Sequence, residues 1–175
     1  MIRTEHTAEL DAPTRAAARA LLYAAFPWEM TEEDWEHCLG GIHALAYDDG
    51  ELVGHAALVQ RRMLYAGRAL RTGYVEGVAV DAGHRRRGHG AALLAALEPF
   101  IRGGYELGAL GATEEGAQLY AAQGWRRWEG PVSGLTLEGI RRTPVEDGDI
   151  WVLEAGVPLD VTRPLACDWR DGDLW

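Results

Sequence analysis

Positions 85 to 90 read Arg-Arg-Arg-Gly-His-Gly, following the run Val78-Ala79-Val80 and opening the apolar stretch Ala91-Ala92-Leu93-Leu94. Glycines at 88 and 90 clear side chains from a place where backbone could approach a ligand. The unsatisfied N–H groups of a helix start carry partial positive charge suited to phosphate. Arg85, Arg86 and Arg87 add cations beside them. Strand, cationic glycine loop and helix start, in that order, read as a pyrophosphate cradle, the alternative being a solvated arginine turn. Walker and kinase-type loops fit poorly because all 17 basic residues are arginine. The missing lysine also excludes Schiff-base chemistry.

Two positions before Val78 stands Glu76. In an uninterrupted strand residues i and i+2 share a face, so a carboxylate at 76 would lie beside whatever runs along 78–80. It could serve as general base toward a protonated amine or simply pair with the ammonium, and the two roles can coexist. Further acids gather at Glu29, Glu32, Glu33, Asp34 and Glu36, at Glu146, Asp147 and Asp149, and at Asp168, Asp171 and Asp173. A cleft lined with carboxylates concentrates cations by electrostatic focusing. Solvated helix faces and loops explain such runs as well, and that reading is preferred for Glu32, Glu33, Glu36 and Asp171.

Other reactive side chains read as structural. His6, His37, His43, His55, His84 and His89 lack metal-ligand spacing, so no metal is expected, and His43 and His55 fall in strand patterns where packing is the simpler role. Tyr120, within QLYAAQGW, reads by itself as core, and Trp35, Trp125, Trp128, Trp151 and Trp169 read as core or cleft wall rather than a stacking platform. Cys38 and Cys167 set no disulfide framework and are read as reduced.

These residues need elements to position them. MIRTEHTAEL suits a first strand. DAPTRAAARALLYAAF suits a helix capped by Asp11, with Pro13 in its first turn and Leu21, Leu22, Ala25 and Phe26 on one face. A short helix in TEEDWEHCL would be capped by Thr31. Residues 41–80 read as three antiparallel strands with turns at 48–50 and 66–67. A helix from about Gly88 to Arg102, a strand YELGAL, a helix from Thr113 to Ala122, a strand near 124–137, a strand DIWVLEA and an irregular tail complete the chain. The order is α+β with a mixed sheet, not a doubly wound dinucleotide fold.

A length of 175 residues suits one domain, and 47% hydrophobic with 25% charged residues suits a packed core. The net charge of -10 opposes nucleic acid and favours cationic partners. No apolar secretory core opens the chain and no stretch is apolar enough to span a bilayer, so the cytoplasm is the expected location, with no membrane partner.

The pattern R-x-x-G-x-G after VEGVAV resembles the acyl-CoA signature of the GCN5-related N-acetyltransferase (GNAT) superfamily. That resemblance implies the GNAT acyl-CoA N-acyltransferase fold, a mixed central sheet flanked by helices, as a single domain over residues 1–175. Acetyl-CoA would be the cosubstrate. By the same resemblance Arg85, Arg86, Arg87, Gly88, His89 and Gly90 hold the pyrophosphate, and the backbone of Val78, Ala79 and Val80 binds pantetheine. The N–H of Val78 would polarise the thioester carbonyl, an effect of about 3 kcal/mol.

More of the chain carries a narrower likeness. EEDWEHCLGGIHALAY, GHAALVQRRMLY, GYVEGVAV, YELGAL, QLYAAQGW and CDWRDGDLW are together similar to aminoglycoside 2′-N-acetyltransferases. This implies acetyl transfer to the 2′-amino group of a polycationic antibiotic, giving resistance, by direct attack of the amine on the thioester. Glu76 would act as base and Tyr120 would protonate the departing thiolate. Glu29, Asp34, Glu76, Gly77, Gly111, Glu146, Asp173 and Trp175 would contact the drug, the carboxyl group after Trp175 would be a further anion, and the protein would be a homodimer. Glu29 stands where relatives resemble GDF, and Gly111 where they carry serine, so drug preference would differ. Acetylation of another amine, a polyamine or a protein N-terminus, and an acyl-CoA-binding regulator without catalysis are the competing readings.

Overall fold

Asp49, Gly50, Ala66 and Gly67 all have positive φ, at 46°, 84°, 50° and 77°. Paired positive values mark type I′ turns, whose twist matches the strands they join. These two turns link the three central strands in the computed structural model, which describes residues 1–175. Two compact units make up the chain, residues 1–59 with 75–99 and residues 60–74 with 100–175.

The first unit begins with β1 (Ile2–His6), α1 (Ala12–Ala25) and α2 (Glu32–His37). Asp11 caps α1 by accepting the Thr14 N–H at 2.8 Å, and Thr31 caps α2 in a reciprocal box with Asp34. Next come β2 (Ile42–Asp48), β3 (Glu51–Tyr65) and β4 (Arg68–Val80), of which residues 51–59 and 75–80 belong to this unit. β1 pairs antiparallel with β2 and β2 with β3. Ala18 and Leu22 of α1 pack with Trp35 and Cys38 against Ala57 and Ala79, which puts small residues under the helix pair. The helix α3 (His89–Gly104) follows, of which residues 89–99 belong to this unit, with Leu93 and Leu97 fully buried.

Residues 60–65 of β3 and 68–74 of β4 belong to the second unit. It adds β5 (Leu107–Gly111), α4 (Ala117–Ala122), β6 (Arg126–Arg127), β7 (Val132–Thr136), β8 (Gly139–Arg142), β9 (Ile150–Glu154) and β10 (Leu165–Cys167). Strand order here is β6-β9-β5-β4-β3-β10-β7-β8. β5 runs parallel to β4 and antiparallel to β9, so the sheet is mixed as the sequence implied.

Three expectations need adjustment. The helix expected from Thr113 begins at Ala117, because Gly116 N–H bonds Thr113 O in a preceding turn. The strand expected over 124–137 is two strands, β6 and β7, interrupted at Pro131, which has no N–H to give a ladder. β8 lies in a stretch given no element, and the three-residue β10 in the tail read as irregular.

A methyl group at Gly41 would sit 2.0 Å from the Leu58 carbonyl oxygen, a backbone atom that cannot yield, whereas one at Gly103 of α3 meets nothing within 4 Å. Gly41→Ala should therefore cost roughly 3 kcal/mol or more, and Gly103→Ala should be neutral or stabilise by up to about 1 kcal/mol. Urea unfolding midpoints measure both, and a Gly41→Ala protein unfolding at the parental midpoint would contradict this packing.

Candidate active site

The arginine-glycine loop lies between β4 and α3. Asp81 folds it by accepting from Gly83 N–H at 2.9 Å and by pairing with His84 Nδ1 at 2.7 Å. Arg86 takes a left-handed φ of 61° and Gly88 one of 86°, and a Cβ at Gly88 would meet nothing within 4 Å. Arg85, Arg86, Arg87 and Gly88 are exposed, while His89 and Gly90 begin α3 half-buried. The first-turn N–H groups of this 16-residue helix have no carbonyl one turn earlier to bond. Arg87 lies 3.5 Å from Asp48, and Arg85 Nε donates to Val80 O at 3.3 Å. Open backbone, a helix start and arginines fit a pyrophosphate group.

Upstream, Gly77 has φ 55°, and a Cβ on it would lie 2.7 Å from Cys38 Sγ and 3.2 Å from Leu22. The kink breaks face alternation: Glu76, Gly77 and Val78 are all half-buried in succession, between buried Val75 and buried Ala79. The i, i+2 argument that placed Glu76 and Val78 on one face therefore does not apply, since it needs a regular pleat. The Gly77 carbonyl points toward the imidazole of His55, 2.8 Å from Nδ1. On the helix side, Asp34 gives Oδ2 to both the N–H and the hydroxyl of Thr31, so it caps α2 whatever else it does. Glu29 is exposed in the turn after α1, beside fully exposed Trp28. Glu32, read as merely solvated, pairs with Arg19 and accepts from Tyr23 at 2.7 Å.

The second unit holds the other predicted positions. Tyr120 on α4 is buried, its ring centroid 6.4 Å from those of Trp125 and Trp151. Burial pushes its hydroxyl up to about 12. Trp175 is buried and donates Nε1–H to Thr143 Oγ1 at 2.9 Å, at the start of the turn carrying Glu146. Burial first, then the charges of Asp173 and Asp149, push the Glu146 carboxyl upward. Asp149 has Arg127 at 3.8 Å. Gly111 ends β5 with room to spare: a Cβ there would lie 3.6 Å from Tyr74 Oη and 4.0 Å from the Trp175 carbonyl carbon.

Two acids grouped with these do structural duty. Asp168 accepts from Arg61 Nε at 2.9 Å and from Arg62 N–H at 2.8 Å, and Asp147 pairs with Arg142 at 2.6 Å. The buried Arg61, unmarked by any sequence pattern, also donates to Leu174 O at 2.7 Å and lies 4.7 Å from the Tyr74 ring centroid. From the tail, Arg170 donates to Asp173 O at 2.6 Å and Trp175 O at 2.7 Å. These bonds hold Asp173 and Trp175.

Residues 8–127 match the acetyltransferase (GNAT) domain, so the chain belongs to the GNAT acetyltransferase family and takes its acetyl group from acetyl-CoA. It is 46% identical over 177 aligned positions to an aminoglycoside 2′-N-acetyltransferase of Mycolicibacterium fortuitum, covering 99% of this chain and 91% of that one. Among solved structures, YhbS of Escherichia coli in complex with CoA superposes with TM-score 0.65 at 17% identity, over 98% of this chain and 89% of that one. Eis1 of Mycobacterium abscessus gives TM-score 0.62 at 22% identity, over 76% of this chain and 33% of that longer one. The structural likenesses speak to fold.

Glu146 supplies a pH test. Its carboxyl is raised above the ordinary 4.5, so the folded state holds that proton more tightly than the unfolded chain does. Stability therefore falls as pH rises from 4.5 through the raised value, and the penalty is complete above it. Glu146→Gln should raise the melting temperature at pH 7, with the gain disappearing below about pH 4.5. A melting temperature lower than the parent's at pH 7 would show that the charge is compensated.

Proposed function

We propose that this acetyltransferase moves the acetyl group of acetyl-CoA to the 2′-amino group of an aminoglycoside, the amine attacking the thioester directly. The near-full-length likeness to a protein so named supports the reading. The observation that carries it is the gathering of carboxylates around Glu146, whose carboxyl is raised by burial first and then by the charges of Asp173 and Asp149. Multiple ammonium groups on one ligand would relieve that repulsion. Glu29, Asp34, Glu76, Gly77, Gly111, Glu146, Asp173 and Trp175 are the proposed drug contacts. The absence of a hydroxyl at 111 should shift preference among drugs.

In this reading Glu76 takes the proton of the attacking amine, directly or through water, and the Val78 N–H bonds the thioester oxygen as negative charge grows there. Tyr120 returns a proton to the departing thiolate. A phenol near 12 keeps its proton throughout the physiological range. The desolvation that raises it would also raise the basicity of a thiolate in the same surroundings, which keeps the transfer feasible. The backbone of Val78, Ala79 and Val80 would carry pantetheine, with residues 85–90 on the pyrophosphate. One acetyltransferase domain over 1–175, working as a cytoplasmic homodimer, completes the proposal; no helix is long and apolar enough to cross a membrane.

The direct test is CoA-thiol release with two matched aminoglycosides, one bearing a 2′-amino group and the other a 2′-hydroxyl. Turnover confined to the amine is expected. Turnover on neither, with acetyl-CoA still bound, would discard the drug and direct attention to other amines.

Substitutions separate the roles. Glu76→Gln should lower kcat about 10²- to 10⁴-fold with acetyl-CoA affinity nearly unchanged, and Tyr120→Phe should lower kcat rather than raise KM. Normal kcat in Tyr120→Phe with a reduced melting temperature would return that residue to the core.

A further inference from the structure

His43 and His55 are both fully buried, on β2 and β3. His55 Nδ1 lies 2.8 Å from Gly77 O, His43 Nδ1 lies 2.9 Å from His55 Nε2, and Thr7 Oγ1 lies 2.7 Å from His43 Nε2. The chemistry of the atoms gives this chain one direction. Gly77 O has only lone pairs, so His55 Nδ1 carries the proton. A neutral His55 then has a bare Nε2, which must accept, so His43 also carries its proton on Nδ1. His43 Nε2 is bare in turn and accepts the Thr7 hydroxyl proton, while Thr7 Oγ1 accepts from Gly40 N–H at 2.9 Å. Gly41 O, 3.2 Å from that hydroxyl, already accepts Thr7 N–H at 2.9 Å.

Every polar atom in the chain has a partner of the opposite kind, and a second proton on His55 would set two N–H groups against each other between the rings. Burial holds His55 near 4 and, with the charges of His55, Arg15 and His6, holds His43 near 3. Both rings are thus neutral at pH 7.

The carbonyl at the end of the chain belongs to the peptide unit whose N–H is that of Val78. A trans peptide is planar, so its C=O and N–H point in opposite directions and are electronically coupled. We infer that His43 and His55 are positioning residues for acetyl transfer: the chain from Gly40 through Thr7 to Gly77 O fixes the plane of the 77–78 peptide and polarises the Val78 N–H aimed at the reacting carbonyl. Gly77 has the left-handed φ of 55°, where strand pairing no longer dictates the orientation of the carbonyl, so an external donor is needed to hold it. The inference rests on the role proposed above for Val78.

The first arm of the test needs no substrate. In ¹⁵N-histidine-labelled full-length protein at pH 7, two rings should show the Nδ1–H neutral tautomer, the minor form of a free imidazole. Both signals should change in His43→Asn, which assigns them. An Nε2–H or doubly protonated His55 would overturn the inference. The second arm compares His55→Phe, which keeps a ring but no donor, with His55→Asn, whose amide nitrogen can occupy the Nδ1 position. The phenylalanine variant should lose kcat about 10- to 100-fold, with KM for acetyl-CoA changed little, and asparagine should restore most of it. Full kcat in His55→Phe, with only a lower melting temperature, would leave the pair a packing role and overturn the inference. An inactive parent with the correct tautomers would refute the proposed reaction instead.

Discussion

The left-handed backbone at Gly77 governs the chemistry-bearing part of β4. Its carbonyl bonds His55, its α-carbon faces Cys38 and Leu22 with no space for a methyl, and its φ suits a residue without Cβ. Because the kink is held from several sides, the backbone leaves the pleat at one place and resumes it by buried Ala79. A regular strand would turn successive amides alternately to its two neighbours. The kink instead presents half-buried 76, 77 and 78 in succession, which is what a strand must do to offer amides and a carboxylate to a ligand.

Charge is distributed by function more than by sign. The chain carries -10 overall, yet its arginine loop is cationic and follows that kinked strand. Some acids are neutralised locally: Asp168 by Arg61, Asp147 by Arg142, and Asp34 is tied to a helix cap. Among the acids of the later segments, Glu146 stays grouped with Asp173 and Asp149, and its carboxyl is raised by burial first and then by their charges. Composition could not make that division, because an arginine partner is recruited from 107 residues away in the case of Asp168. An ammonium-bearing ligand gains most where carboxylates crowd one another in this way.

What the sequence revealed was local, and what it concealed depended on register. Asp49-Gly50 and Ala66-Gly67 announced their hairpins, Asp11 and Thr31 their helix caps, and the R-x-x-G-x-G run its loop and helix. The histidine pair shows the limit. A two-residue hairpin with Asp48 opposite Glu51 would, if regular, set Ala44 opposite His55 and put His43 on the other face. The observed register slips between Ala46 and Tyr47, so that Leu45 faces His55 and His43 faces Ala57. That one-residue shift brings both imidazoles to the same face as a diagonal pair. Periodicity read through the bulge assigned them separately to packing. β8, β10 and Arg61 were hidden for a related reason, as short pairings and one buried cation decided by distant partners.

The two units anchor polar backbone in different ways, and the difference follows from exposure. In the second, Arg61 draws the tail carbonyls of Asp168 and Leu174 together with a charge, and Asp168, a third exposed, supplies the counterion at the margin of solvent. Around Gly77 there is no such margin: His43 and His55 have no accessible surface. A guanidinium there would need a buried carboxylate, with desolvation of both ions to offset, and a leucine would leave the carbonyl without a donor. A neutral imidazole is both donor and acceptor, so two of them extend a hydrogen-bond chain through the core without burying a net charge. A peptide whose N–H is to face a developing negative charge benefits from a neutral anchor of this kind. It fixes the donor's direction while leaving the field at the thioester to the groups around it.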